Sequence, residues 1–156
     1  MFFAAPEIAM PLTPFRLLTS LLLSATAFAV DAAPSSVNPL DAERWKTRPL
    51  VVVVATADDP MLSGVRNDLS STALRAAFDE REMVLYTVVG AELRRNDTLL
   101  PAGQATALLK ALSLSADGPA KAVLVGKDGG VKLRQQGRVD FKEILPLIDS
   151  MPMRRR

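Results

Sequence analysis

Two stretches of the chain are apolar without alternation. Pro49-Leu50-Val51-Val52-Val53-Val54-Ala55 is rich in β-branched residues and shows no polar face. That is the pattern of a strand buried on both sides, and so of a central one. Met83-Val84-Leu85-Tyr86-Thr87-Val88-Val89 reads the same way. A third run, Ala122 to Gly126, meets Asp128-Gly129 and then the alternating Val131-Lys132-Leu133-Arg134. This predicts a β-hairpin with a tight type I′ turn, because Asp-Gly tolerates the positive φ angles such a turn requires.

The stretches between carry helical periods. Asp59 and Pro60 supply an N-cap and a first-turn proline, and Leu62, Val65 and Leu69 follow on one stripe. Ser70-Ser71-Thr72 interrupts that helix before Ala73 to Arg81 resume it. Glu92 to Gly103 is polar and reads as loop, Gln104 to Leu114 as a short helix, and Ser115 to Pro119 as a turn. Asp140 and Glu143 form a capping box ahead of Phe141, Ile144, Leu145 and Ile148. Pro146 falls inside that last helix, where its ring and missing N–H predict a kink or an irregular first turn.

The resulting order is β-α-β-α-β-β-α. A right-handed crossover makes the first two strands parallel, and the hairpin adds two antiparallel ones. The expected fold is therefore α/β and thioredoxin-like: a mixed four-stranded sheet of order 2-1-3-4 with helices on both faces. Ahead of it, Arg16, the run Leu17 to Phe28 and the Ala27-Phe28-Ala29 site have the layout of an export signal, with cleavage expected after Ala29. The apolar run is shorter than the roughly 20 residues of a membrane span. Residues 1–29 are thus assigned to a signal peptide, 30–39 to a Pro/Ser-containing linker and 40–156 to the domain, with Met10 as an alternative start. The expected location is periplasmic or secreted, with no membrane span in the mature chain.

Composition removes more chemistry than it suggests. The chain contains neither Cys nor His, which excludes thiol-disulfide exchange, thiol peroxidase activity, disulfides, the usual structural zinc sites and any nucleophile activated by a histidine base. A net charge of +2 does not point to nucleic acid. Nothing implies a cofactor or a metal, and a monomer is the expectation. Asn96-Asp97-Thr98 matches a glycosylation acceptor, a pattern too short to weigh.

The candidate binding residues are Asp58, Asp59, Pro60 and Met61, where the first strand meets the first helix, and the cations Lys127, Lys132 and Arg134 of the hairpin. Capping alone explains the aspartates. Lys132 and Arg134 share a strand face, which suits either an anion or a solvated, aggregation-resistant edge. Trp45, the sole tryptophan, stands among charges, either covering an end of the core or offering an aromatic to a partner. Arg154-Arg155-Arg156 reads as a solvated end.

Leu40 to Arg48, Val125 to Arg134 with its Lys-Asp-Gly-Gly turn, and Ile148 to Arg154 with its Met-Pro-Met ending closely resemble the bacterial domain of unknown function 4174 family. The resemblance spans about residues 38 to 156. That family is similar to domains of vertebrate extracellular proteins with coiled-coil or sushi-repeat regions, and the resemblance implies a thioredoxin-like or peroxiredoxin-like fold and brings no established catalytic residues with it. The leading reading is a non-catalytic exported module that binds a protein or envelope component through the face carrying Asp58 to Met61. The alternative is a carboxylate-based metal-dependent or phosphoryl-transfer enzyme that uses Asp58 and Asp59 with Lys127.

Overall fold

A computed structural model describes residues 37–152, so the signal-peptide reading and the Arg154 to Arg156 tail lie outside the described residues. A 3-10 turn, Pro39–Glu43, leads into β1 (Arg48–Val54). Then come α1 (Pro60–Ser70), α2 (Thr72–Glu80), β2 (Met83–Val89), β3 (Glu92–Arg95), β4 (Thr98–Leu99) and α3 (Gln104–Leu112). The chain continues with β5 (Lys121–Val125), β6 (Val131–Gln136) and α4 (Phe141–Ser150).

The sheet has the order β4-β3-β2-β1-β5-β6, with β1 parallel to β2 and antiparallel to β5. Four successive strands of it, β2-β1-β5-β6, reproduce the expected 2-1-3-4 order, and the fold is thioredoxin-like. Every residue of β1 is buried, as its unbroken apolar run requires. Alternate residues of β1 feed two separate cores. Leu50, Val52 and Val54 pack beneath α1, α2 and α4, whereas Val51 and Val53 pack beneath α3 and the 3-10 turn.

Two expectations need correction. Glu92 to Gly103 is not all loop, since β3 and β4 extend the sheet from four strands to six. Only Leu93 of β3 is buried; Glu92, Arg94 and Arg95 reach solvent, so the segment has no apolar period to read. Asn96 and Asp97 both adopt positive φ (46° and 69°), which gives a two-residue turn. Asn96 Oδ1 also accepts from the Leu85 N–H at 3.0 Å, pinning the hairpin to β2.

The second correction concerns the β5–β6 turn. Gly126 N–H donates to the Gly130 carbonyl (2.8 Å) and Gly129 N–H to the Gly126 carbonyl (2.9 Å), enclosing the three residues Lys127, Asp128 and Gly129. Gly129 alone has positive φ, at 81°, so the turn is not type I′. It has the form of a turn followed by one left-handed residue. The positive φ of that residue favours glycine, and a Cβ there would also displace the exposed Arg44 side chain, whose Nε would lie 2.7 Å away. Helix α4 contains Pro146, and its first turn is irregular, with both the Glu143 and Ile144 N–H groups reaching the Asp140 carbonyl at 3.2 Å.

Other boundaries follow the sequence, except that the capping box does not close: the Asp140 N–H donates to Gln135 Oε1 (3.0 Å) and Glu143 Oε2 accepts from Gln135 Nε2 (2.7 Å). Asp59 Oδ1 accepts from the Met61 N–H (2.8 Å) and Asp140 Oδ1 from the Lys142 N–H (2.8 Å), each capping its helix. The serine-rich break is real: Ser71, with extended φ −68° and ψ 124°, separates α1 from α2. That bend lets α2 turn Phe78 into the core, where its ring meets Phe141 edge-on at 6.4 Å and 72°. Phe78→Ala should cost roughly 3–5 kcal/mol in denaturant unfolding; a loss below about 1 kcal/mol would mean that α2 does not help to close this core.

Candidate functional site

The sheet separates the sequence-predicted site residues into two groups. Thr56 to Met61 follows the carboxyl end of β1. Lys127 follows β5, which runs antiparallel to β1, and therefore lies at the opposite edge, where β1 and β2 begin. Asp58 and Asp59 are not brought together with Lys127, and no group of three or more acidic, Cys or His side chains placed to hold a metal exists among the described residues.

At the carboxyl end the polar groups serve the backbone. Asp59 is occupied as the helix cap. Asp58 is solvent-exposed, and its carboxyl is held below its usual range by a hydrogen bond from the Thr56 hydroxyl. Met61 is only 2 % exposed and belongs to the core, so its side chain offers little to a partner. Pro60 and Met61 border a groove of about 340 Å³ between α1 and the Gly137–Val139 segment. No buried side-chain nitrogen or oxygen lacking a partner lies there, among the described residues.

At the opposite edge the arrangement is richer. Arg48 opens β1 and is 1 % exposed, a guanidinium taken almost wholly out of water. Its Nη1 donates to the Arg81 carbonyl (2.9 Å) and lies 3.5 Å from Glu82 Oε2. Its backbone N–H donates to the Glu82 carbonyl at 2.8 Å. The Arg48 Nε–H has no acceptor among the described residues. Such a buried unmet donor costs about 1–3 kcal/mol.

Glu82, in a left-handed conformation (φ 52°), also takes the Lys127 ammonium. That hydrogen bond, together with the charges of Lys127 and Arg48, holds its carboxyl below the usual range despite partial burial. Next to this pair, Lys132 Nζ reaches Asp128 Oδ2 at 2.6 Å while Asp128 Oδ1 accepts from the Gly130 N–H at 3.0 Å. Arg48, Lys127, Asp128, Lys132, Met151 and Pro152 line a cavity of about 230 Å³. Arg81, whose carbonyl takes Arg48 Nη1, binds Asp149 through Nε (3.0 Å) and Nη2 (2.7 Å), joining the end of α2 to α4.

Arg134 stands apart from this group. Although it shares a strand face with Lys132, its Nη2 donates to the Leu112 carbonyl at 3.0 Å, where α3 ends. A cation satisfying the last carbonyls of a helix is structural in effect.

A second buried charge lies on the α3 side. Glu43 is 5 % exposed and accepts from Tyr86 OH (2.8 Å), Arg95 Nε (2.7 Å) and the Thr47 hydroxyl. Burial pushes its carboxyl up, but the hydrogen bonds from Arg95, Thr47 and Tyr86 and the Arg95 charge outweigh this and hold it below its usual value. Tyr86 is pushed well above the usual phenol range by burial first and by the Glu43 carboxylate second. The pair therefore sits as carboxylate and neutral phenol.

Trp45 does not cover the core. It is 66 % exposed, with φ at 65°, and its N–H donates to the Lys127 carbonyl at 2.7 Å. The sequence shows why the structural role fails: Arg44 and Lys46 flank Trp45, and both are exposed as well.

Arg48, Glu82, Glu43 and Arg95 were not among the sequence-predicted site residues. The available signal was a charge abutting a fully apolar strand, as Arg48 does before Pro49.

A carboxyl group depressed in the folded state contributes stability that is complete above its unfolded value and lost as pH falls through the folded one. Glu43→Gln should therefore be less stable than the parent chain at neutral pH, with a gap that narrows once pH drops below the ordinary glutamate value of 4.5. Denaturant midpoints measured across that range check it, and a gap independent of pH would show that the ionised form of Glu43 does not matter.

A family model described as a domain of unknown function (DUF4174) matches residues 39–156. No curated protein matches the chain. Among solved structures, the crystal structure of the reduced 2-Cys peroxiredoxin of Plasmodium vivax aligns at 15% identity. The alignment covers 71% of this chain and 80% of that one, with a TM-score of 0.48.

Proposed function

We propose that this chain, which belongs to the DUF4174 family, is an exported, non-catalytic module that binds a protein or envelope component through the surface around Trp45. The observation that carries this reading is the display of Trp45. A large aromatic in the left-handed region costs roughly 1–2 kcal/mol of backbone energy, and an exposed ring recovers little of it by burial. The main chain at Trp45 is nevertheless fixed, through its backbone N–H, to the Lys127 carbonyl.

Aromatic and arginine side chains are the residues that most often dominate binding energy at protein interfaces. Trp45 has Arg44 as its neighbour, and the Arg44 guanidinium lies against Gly129 at the tip of the β5–β6 turn. The absence of Cys and His from the whole sequence supports a binding role over redox or histidine-based catalysis. Export rests on the apolar run Leu17 to Phe28 and the Ala27-Phe28-Ala29 site.

A photoreactive group at position 45, expressed in the native host, should trap one reproducible partner, and the same group at the exposed Lys142 should not. The trapped chain should begin at Val30. Adducts of equal yield from both positions, or an intact N-terminus in the trapped chain, would defeat the binding surface and the export reading respectively.

Because glycine adopts positive φ freely, Trp45→Gly should be neutral or up to about 1 kcal/mol more stable than the parent chain while losing the partner. A stability loss above about 1 kcal/mol would show that the ring packs after all.

A further inference from the structure

Three consecutive side chains of the lead-in loop, Arg44, Trp45 and Lys46, are all exposed. Arg44 lies 3.7 Å from Asp41, but both side chains are more than half exposed, so the pair is weak. Lys46 makes no ion pair among the described residues. The indole therefore stands between two cations whose charge is not used within the fold.

The last described residues come to the same place. The Trp45 backbone N–H donates to the Lys127 carbonyl, and Lys127 lines one cavity with Met151 and Pro152. Beyond Pro152 the sequence runs Met153-Arg154-Arg155-Arg156, four residues that reach about 14 Å at most from that point. Acidic and basic side chains are equal in number between residues 37 and 152, so the three arginines supply the excess positive charge. Their starting point lies across Lys127 from the Trp45 loop.

We infer that this end of the domain docks on an anionic phospholipid surface, with the Trp45 ring at headgroup level and Arg44, Lys46 and the Arg154–Arg156 segment over the lipid phosphates. Such docking presupposes the Trp45 surface proposed above and specifies what that surface meets. Tryptophan collects at membrane–water interfaces because its body is apolar while its indole N–H needs a polar partner. An anchor residue in a protein interface is instead ringed by contacts that exclude water, whereas the neighbours of Trp45 are charged and exposed. Attraction of a basic residue to a negatively charged bilayer fades within about 10 Å at moderate salt. Cations that flank the ring are thus the ones that count.

Trp45 is the only tryptophan in the sequence, so its fluorescence reports on this site alone. The full chain, purified from its native host, is titrated with vesicles of phosphatidylglycerol mixed into phosphatidylcholine, and with vesicles of phosphatidylcholine. Trp45 emission should shift to the blue, saturably, with the mixed vesicles only, and brominated acyl chains should quench it. An apolar leader still attached would bind both vesicle types, which the comparison separates. Arg44→Gln and Lys46→Gln should each weaken binding roughly fivefold. Trp45→Gly, followed by co-sedimentation, should weaken it roughly tenfold. Lys142→Gln, at the far end of α4 from Met151, should leave it unchanged.

Emission unmoved by either vesicle overturns the proposal, and so does an equal shift with phosphatidylcholine alone. A shift with soluble polyglutamate at a lower charge concentration than the mixed vesicles need would overturn the lipid in favour of an acidic polypeptide. If the photoreactive group at position 45 traps a protein while vesicles have no effect, the Trp45 surface stands and only its lipid assignment fails. Equal adducts at positions 45 and 142 would remove the surface itself.

Discussion

The ionised carboxylate of Glu43 holds the entrance of this domain in place. A buried carboxylate is tolerable only when its lone pairs are taken up, and here a phenol, a guanidinium and a hydroxyl from separate parts of the chain do so. One partner is on β2, one on β3 and one just past Glu43 itself, so a single side chain ties the lead-in segment to two strands. The Glu43 carbonyl adds bonds from the Lys46 and Thr47 N–H groups. Trp45 lies inside that loop, and Arg48 directly follows it. The position of the exposed aromatic and the depth of the buried guanidinium both depend on the loop being tied down.

How far the sequence carried the reading depended on what each element buries. β1 and β2 were legible because both faces are covered and no charged residue interrupts their apolar, β-branched runs. Helix starts were legible because Asp59 and Asp140 do local work that their neighbours reveal. β3 and β4 were not, since an edge hairpin with one buried residue has almost no apolar signal; the Asn96-Asp97 pair, both tolerant of positive φ, was the only clue. The turn type failed for a related reason: a dipeptide states what φ values are permitted, while the pairing of Gly126 with Gly130 decides which are used.

Of the candidate site, the hairpin lysines were legible as cations but not as a group, because their common neighbour Arg48 comes from a segment some eighty residues earlier. Such juxtapositions are set by topology. The carboxyl end of β1, where a thioredoxin-like redox protein keeps its thiolate and where open α/β sheets usually hold ligands, is here closed by its own caps. The one buried side-chain polar atom without a partner among the described residues, Arg48 Nε, lies at the other end. Met61 illustrates the limit of reading by position: it occupies the expected place in the chain, yet the turn of α1 directs it inward.

The two borders of the sheet bear on how any partner could be held. β4 has only two residues, and β6 carries Lys132 and Arg134 along its length. A short strand and a charged strand are poor templates for pairing with another chain. Partners that dock by contributing an extra strand rely on an open, regular edge for their affinity, and neither border provides one. A partner of the proposed module would then be held by side chains and not by strand addition, a mode that selects on shape and charge and is less open to any extended segment that happens to pass.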